Sequence, residues 1–293
     1  MKIETLVNLI KGELLNRPFI SEVTSFTENP KEVLRGSCFF SNNFDDIKKA
    51  VKNGAYAIIS EKEFEIIDKE IAWILVSSIK KAVFDIFKYE NIKTKIYFTD
   101  KITAHIIKKM NIDKKVVVLE NEKSFLTALN KNESFLISSN PEFKKIFINS
   151  EELKPVNIKL EQISLFKSRY NQIDINLPFV YKKNFAKALM FFENKNLKYS
   201  LDFELERFKP VFVNKFLEKV EYGQSDKVLI LGIENDENFF NELNYLIENT
   251  KYAKTIIVGK YNKKILNGYF NFAMLVDMEI EMKTKEKERK LFD

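Results

Sequence analysis

Residues 94–110, TKIYFTDKITAHIIKKM, place Lys101 and Thr103 directly after a strand-like run, at the start of a helical pattern. A lysine and a hydroxyl in this position are the residue types that hold phosphate and magnesium in nucleotide-dependent enzymes. Such loops also need glycine, because only a residue without Cβ lets the backbone approach the phosphates closely. The segment contains no glycine. We therefore expect no phosphate cradle here, and no binding of ATP or Mg²⁺.

Other side chains with catalytic potential are few, since the chain has one histidine and one cysteine. His105 lies at helical spacing with Ile102 and Ile106, which predicts an ordinary helix residue. Cys38 lies in the apolar run SCFF, which predicts a buried structural thiol, and a single cysteine excludes an intramolecular disulfide. We assign no catalytic residue and no metal ligand.

Length and charge set limits on the class of protein. A chain of 293 residues is long enough for two or three domains. The net charge is +6, but both signs are interspersed, which does not favour nucleic-acid binding. No segment approaches the ~20 consecutive apolar residues of a membrane span, and Glu4 and Glu13 interrupt the N-terminal pattern, unlike in a signal peptide. We expect a cytoplasmic protein without a membrane span.

The first half of the chain alternates between helix and strand signals. Leu6, Ile10 and Leu14 predict an opening helix that ends near residues 16–18. The alternation favours an α/β fold with parallel strands. The predicted elements that follow are strand SCFF, a helix from Asp45 to Asn53, a strand at Ile71–Val76 that runs into a helix, strands TKIYFT, KKVVVLE and ESFLISS, and helices DKITAHIIKKM and NEKSFLTALN.

The second half begins with extended segments through FKSRYNQIDINLP. Two helices, KKNFAKALMFFEN and SLDFELERF, are predicted next. The last third then starts a new α/β pattern, with strand DKVLILGIEND, helix ENFFNELNYLIENT, and strands AKTIIVGK and NFAMLVD. The tail MEIEMKTKEKERK alternates charges and predicts a solvated helix end or disorder.

Three segments together resemble the N-terminal domain of the Mur ligases, closest to the MurF type. They are NPKEVLRGSCFF, FDDIKKAVKNGAYAIISEKEF and IAWILVSSIKKAVFDIF. Residues 177–211 and 226–260 are similar, more weakly, to later parts of that family. The resemblance implies a three-part layout whose first domain holds the uridine-diphosphate end of a muramyl-peptide precursor. The matching positions are Gly36, Phe39, Phe40, Gly54, Ala55 and Val76.

Departures from the family pattern fall on its functional positions. The family's Gly-x-x-Gly-Lys-Thr loop is replaced by TDKITAH, and its Asp-Asp-x-Tyr-x-Ala-Asn-Pro element by KFLEKVEYGQSDKVLILG. Its Asp-Ser-Arg motif aligns with Asn29-Pro30-Lys31, and a lysine is not equivalent to the planar arginine fork. By resemblance, the uridine-nucleotide remnant is Asn29, Lys31, Ser41, Asn42 and Asn43, and the vestigial ATP site is Lys101, Thr103 and Asn184.

Four hypotheses remain open from the sequence. The first is a non-catalytic Mur-ligase-like protein that binds a UDP-MurNAc-peptide precursor, or regulates cell-wall synthesis through a protein partner or as a homo-oligomer. The others are an active but divergent ATP-dependent ligase, a structural interaction module without a small ligand, and a nucleic-acid-binding protein. The fold predicted is α/β, with a reduced central P-loop-type domain lacking the P-loop and a Rossmann-like C-terminal domain. The predicted domains are 1–90, 91–220 and 221–293 with its charged tail.

Overall fold

A computed structural model describes residues 1–112, 115–131, 135–259 and 269–278. The chain forms two compact units. The first takes its described residues from 1–104 and 113–154, and the second from 105–112 and 155–293. Parallel strands alternate with helices in both units, so the predicted α/β class is confirmed.

The first sheet has five strands in the order β1-β5-β4-β3-β2, and β1 alone runs antiparallel. Strands β3 and β4 are buried at every position, as expected for parallel strands covered on both faces. The strands are β1 Glu13–Leu14, β2 Ser25–Thr27, β3 Ser37–Phe40, β4 Ala57–Ser60 and β5 Ala72–Leu75, and the helices are α1 Ile3–Ile10, α2 Phe44–Lys52 and α3 Ile79–Asn91, with a 3₁₀ turn at Pro30–Glu32.

Side-chain caps fix where two of these helices begin. The Asn43 side chain accepts hydrogen bonds from the backbone of Asp45 and Asp46 at the start of α2. Ser78 accepts one from the backbone of Lys81 at the start of α3. Both caps satisfy N–H groups that have no partner inside the helix.

The second sheet of the first unit is entirely parallel, in the order β7-β8-β6-β9. Phe87 and Phe125 stack with ring centroids 4.9 Å apart, and Phe84 stacks on Phe143 at 5.5 Å. These ring contacts pack α5 and α6 onto α3. One core cluster therefore spans both sheets of this unit. The elements are β6 Ile96–Phe98, β7 Val116–Leu119, β8 Phe135–Ser138, β9 Ser150–Glu152, α4 Lys101–Met110, α5 Glu122–Leu129 and α6 Glu142–Ile146.

The second unit contains a small antiparallel sheet, β10-β11-β12, and a mixed sheet, β13-β14-β16-β15, in which β13 alone is antiparallel. Its elements are β10 Glu161–Gln162, β11 Ser168–Tyr170, β12 Ile173–Ile175, a 3₁₀ turn at Phe179–Tyr181, α7 Lys182–Asn194, β13 Lys209–Val213, β14 Lys227–Ile233, α8 Phe239–Asn249, β15 Thr255–Gly259 and β16 Phe272–Val276.

The opening helix is shorter than the sequence pattern predicts, and its expected end near residues 16–18 is wrong. It ends at Ile10 because Lys11 adopts a left-handed conformation, with φ of 52°. A Cβ at Gly12 would lie 2.6 Å from Ile74 Cγ2, so the chain passes close to β5 there and continues as β1.

The predicted helix SLDFELERF is also wrong. Residues 200–208 form no helix, and β13, which the sequence did not predict, follows them directly. Tertiary contacts hold this segment in place: Glu204 bridges Asn176, and Arg207 forms ion pairs with Asp236 and Glu242. Helix propensity is a weak local preference that such contacts override.

The described elements form two compact units, at different boundaries from the three predicted domains. The three domains stay a prediction. Most of the charged tail lies outside the described residues. No helix within the described part of the chain is long and apolar enough to cross a membrane.

Candidate functional site

A cleft of about 920 Å³ opens in the first unit. One wall is the stretch from β2 into the 3₁₀ turn, residues 26–30 and 32. The opposite wall is α5 and the residues after it, with Lys123 and Thr127 four residues apart on one face of α5 and Lys131 just beyond its end. Phe40, Ser41 and Ile79 also line the cleft, so the end of β3 and the start of α3 contribute to it.

Asn130 fixes the distance between these walls. Its Oδ1 accepts a hydrogen bond from the Phe26 backbone at 3.0 Å, and its Nδ2 donates to the Phe26 carbonyl at 2.6 Å. Phe26 belongs to β2, the edge strand of the first sheet, so the amide completes that edge in place of another strand. The cleft is therefore a built feature of the unit, held by a contact between residues far apart in sequence.

Two of the predicted uridine-site residues, Asn29 and Ser41, line this cleft. Asn29 is also the N-cap of the 3₁₀ turn: its Oδ1 accepts from the Lys31 backbone at 3.1 Å, and its Nδ2 donates to Glu32 at 3.0 Å. Ser41 Oγ accepts from the Asn43 backbone at 3.0 Å. A ligand would meet these two side chains already oriented by the protein.

The other three predicted residues, Lys31, Asn42 and Asn43, are not lining residues of the cleft. Asn42 exchanges two hydrogen bonds of 2.8 Å with Glu61, one from its amide to the Glu61 carboxylate and one from the Glu61 backbone. Asn43 caps α2. These two residues have structural roles, whereas any contact of Lys31 with a nucleotide stays a prediction.

The sequence analysis missed the α5 wall. Lys123 is exposed and Lys131 half-buried, and both bring positive charge to the cleft. Glu28 and Glu32 stand on the facing wall, so an anionic ligand would bind along the α5 side. The signal was present as polar residues at positions i, i+4 and i+8 of NEKSFLTALNK, but nothing local showed which surface they face.

The predicted vestigial nucleotide site begins at α4, where Asp100 caps the helix. Asp100 Oδ1 accepts a hydrogen bond from the Thr103 backbone at 2.8 Å, and its Oδ2 accepts one from Thr103 Oγ1 at 2.8 Å. The carbonyl of Asp100 accepts from the Ala104 backbone at 3.0 Å. A carboxylate of the chain itself thus lies where a helix N-terminus would otherwise attract a phosphate.

The predicted residues of this site belong to two helices, α4 and α7. Lys101 is exposed in the first turn of α4, and Thr103 is fully buried. Asn184 lies half-buried in the first turn of α7, in the second unit. Their assignment to a nucleotide site stays a prediction.

His105 contacts a carboxylate of the chain, and Cys38 lies in the core. His105 Nε2 lies 2.7 Å from Glu206 Oε2, and Lys109 forms an ion pair with the same carboxylate. Burial is the largest single influence on Glu206 and raises its pKa, but the hydrogen bonds from Lys109, the backbone and His105 together outweigh it and lower this pKa to about 2. Cys38 is fully buried, as predicted, and burial raises the pKa of its thiol.

A cluster of buried charged groups lies in the second unit around Arg207. Its guanidinium donates two bonds of 2.7 Å to Asp236, and Nε and Nη2 donate to Glu242 at 2.5 and 3.0 Å. The Tyr181 hydroxyl donates to Glu242 at 2.5 Å. Glu242 has no exposed surface, so burial raises its pKa while the bonds from Arg207 and Tyr181 act in the opposite direction.

Among the described residues, no group of three or more His, Cys, Asp or Glu side chains is placed to hold a metal ion. No model of a known protein family matches the chain, and no curated protein matches it.

The solved structures to which the chain is similar include Mur ligases. A MurF from Acinetobacter baumannii is 9% identical with a TM-score of 0.45, over 90% of this chain and 79% of that one. The MurF ligase from Thermotoga maritima in complex with ADP is 12% identical with a TM-score of 0.43, over 87% and 93%. A UDP-N-acetylmuramoyl-L-alanyl-D-glutamate–2,6-diaminopimelate ligase is 10% identical with a TM-score of 0.33. At this level the likeness assigns no activity to this chain.

Proposed function

We propose that this chain is a non-catalytic Mur-ligase-like protein that binds a uridine-diphosphate-linked muramyl-peptide precursor in the cleft of its first unit. It acts in cell-wall synthesis in the cytoplasm, through a protein partner or as a homo-oligomer, and does not use ATP or Mg²⁺. The proposal rests on the resemblance of residues 29–87 to the family's N-terminal domain. It also rests on the geometry of the cleft in the first unit and of the start of α4 at Asp100.

The observation that carries the non-catalytic part is the Asp100 cap. Acyl-phosphate ligation needs a lysine, a magnesium ion and backbone N–H groups that stabilise the transferred phosphate. At α4 the N–H and hydroxyl of Thr103 donate to Asp100 instead, and a carboxylate repels a phosphate electrostatically. This supports an enzyme-like scaffold that has lost its phosphate site.

The binding part rests on the cleft between β2 and α5. Its volume, about 920 Å³, is in the range of small-molecule sites. Lys123 and Lys131 supply positive charge for a diphosphate, while Asn29 and Ser41 supply polar groups near the buried ring of Phe40. The combination suits an anionic nucleotide better than an uncharged ligand.

The test is calorimetric titration with the uridine-diphosphate muramyl-peptide precursor. Lys123→Ala should weaken binding about tenfold, the loss of one charge-assisted phosphate contact. Lys69→Ala removes the same charge from an exposed position before β5 and should leave binding unchanged. Absence of saturable binding to the wild-type protein would end the proposal, leaving an interaction module without this ligand.

A further inference from the structure

A second cleft, of about 610 Å³, lies in the second unit and differs in its lining. Three partly or largely exposed aromatic rings and two prolines line it, together with Phe208, which has no exposed surface; the others are Phe166, Phe212, Tyr222, Pro178 and Pro210. The rings of Phe166 and Phe208 lie 5.9 Å apart, and those of Phe212 and Tyr222 meet edge to face at 5.0 Å. Tyr222 is 81% exposed, so its ring surface is open to a ligand.

The wall of this cleft is held in a strained conformation. Phe208 is fully buried with φ of 56°, an uncommon conformation for a bulky residue. The turn before it lies so close to β14 that a Cβ on Gly232 would be 2.0 Å from the Glu206 carbonyl oxygen. Strain of this kind persists only where surrounding contacts enforce it, and it concentrates at binding sites.

The enforcing contacts come from Arg207, which also lines the cleft. Its bonds to Asp236 and Glu242 tie the turn to α8 and the residues before it. A buried charged network behind an apolar cleft is the arrangement that supports a preorganised site.

Of the five charged side chains described in the lining of this cleft, four are paired with other side chains of the protein. Lys209 binds Glu204 at 3.0 Å, Asp174 binds Arg169 at 2.6 Å, and the Arg207 guanidinium is held by two carboxylates. The bond from Arg169 lowers the pKa of Asp174, and the fifth charged side chain, the exposed Lys167, lowers it further without forming an ion pair among the described residues. An anionic ligand would have to compete with carboxylates for Arg207 and Lys209.

From these features we propose that the second unit binds a neutral aromatic ligand in this cleft, against the exposed parts of the Phe166, Phe212 and Tyr222 rings. The rings supply edge and face contacts, and the self-paired charges select against an ionised ligand. This site is separate in residues and in chemistry from the cleft assigned to the uridine nucleotide.

The test uses two fluorescent probes with the same ring system, neutral N-phenyl-1-naphthylamine and its anionic sulfonate, 8-anilino-1-naphthalenesulfonate. On the full chain, the neutral probe should bind saturably and about tenfold more tightly than the sulfonate, because the sulfonate loses its hydration while Arg207 and Lys209 stay bound to carboxylates. Tyr222→Ala should weaken the neutral probe about fivefold. Tyr252→Ala, which removes a fully exposed ring elsewhere in the unit, should not.

Three results would overturn the proposal. They are tighter binding of the sulfonate, equal effects of the two tyrosine variants, and displacement of the neutral probe by uridine diphosphate, which would place the probe in the first unit. Tyr222 is exposed, so its variant is expected to fold, and a matching circular dichroism spectrum establishes this before titration.

Discussion

The clefts of the two units differ most in what their charges contact. In the first unit Lys123 and Lys131 stand on one wall, with Glu28 and Glu32 on the other, so the cleft separates positive from negative charge. In the second unit Arg207, Lys209 and Asp174 each have an opposite charge within 3.0 Å, and aromatic rings line the same cleft. Cleft volume alone therefore says little about ligand class, whereas the arrangement of charges discriminates.

The largest effect should come from removing the cation that holds the second cleft's wall. Arg207→Ala leaves Glu242 buried without its counter-ion and should cost about 3–5 kcal/mol of unfolding free energy. Arg169→Ala breaks an exposed ion pair with Asp174 and should lower the unfolding free energy far less, because water screens the pair. Urea denaturation compares the two. Equal costs would mean that the Arg207 network adds no more than a surface ion pair.

The close approach at Gly232 offers a second way to disturb that wall. Gly232→Ala should destabilise the protein by about 3 kcal/mol or more, because Cβ would clash with the Glu206 carbonyl at 2.0 Å. The control is Gly223→Ala, where φ is also positive but no atom lies within 4 Å, so a cost of about 1–2 kcal/mol is expected. Thermal unfolding measures both. A Gly232 variant no less stable than the control contradicts the close approach.

The salt dependence of ligand binding should distinguish the two clefts. Raising NaCl from about 0.05 M to about 0.5 M should weaken binding of the uridine-diphosphate precursor about fivefold, because salt screens the attraction between its diphosphate and the lysines of the cleft. The neutral aromatic probe should bind equally at both concentrations. Identical salt responses of the two ligands would remove the distinction between a charged and an apolar cleft.

The smallest effect concerns the ion pairs of Glu206, next to Arg207. Its pKa is about 2 in the folded protein and 4.5 in the reference state, so its contribution to stability is present above pH 4.5 and lost as pH falls toward 2. Because the carboxylate is largely exposed, this contribution is about 0.5 kcal/mol. Glu206→Gln should be less stable than wild type at pH 5 and should equal it near pH 2. A difference that does not change with pH contradicts this role.

Some helices could be predicted from the spacing of apolar residues within the segment itself. The helix KKNFAKALMFFEN was predicted with the bounds observed for α7, because its apolar periodicity faces one core. The segment at 200–208 was missed because Arg207 is fixed by partners 29 and 35 residues away.

The same reason applies to the first cleft. Asn29 and Ser41 were found by resemblance, but the α5 wall depends on the contact of Asn130 with Phe26, 104 residues away, which no local pattern reveals. The missing glycines at residues 94–110, in contrast, could be read directly, and the Asp100 cap now occupies that helix start.

The most direct test of the central claim is calorimetry of the full chain with Mg-ATP, in the presence of saturating uridine-diphosphate muramyl-peptide precursor, with phosphate release followed in parallel. We predict saturable heat for the precursor, none for Mg-ATP and no released phosphate, because Asp100 takes the place of a phosphate at α4. Saturable Mg-ATP binding with phosphate release would contradict the account and make the chain an active, divergent ligase.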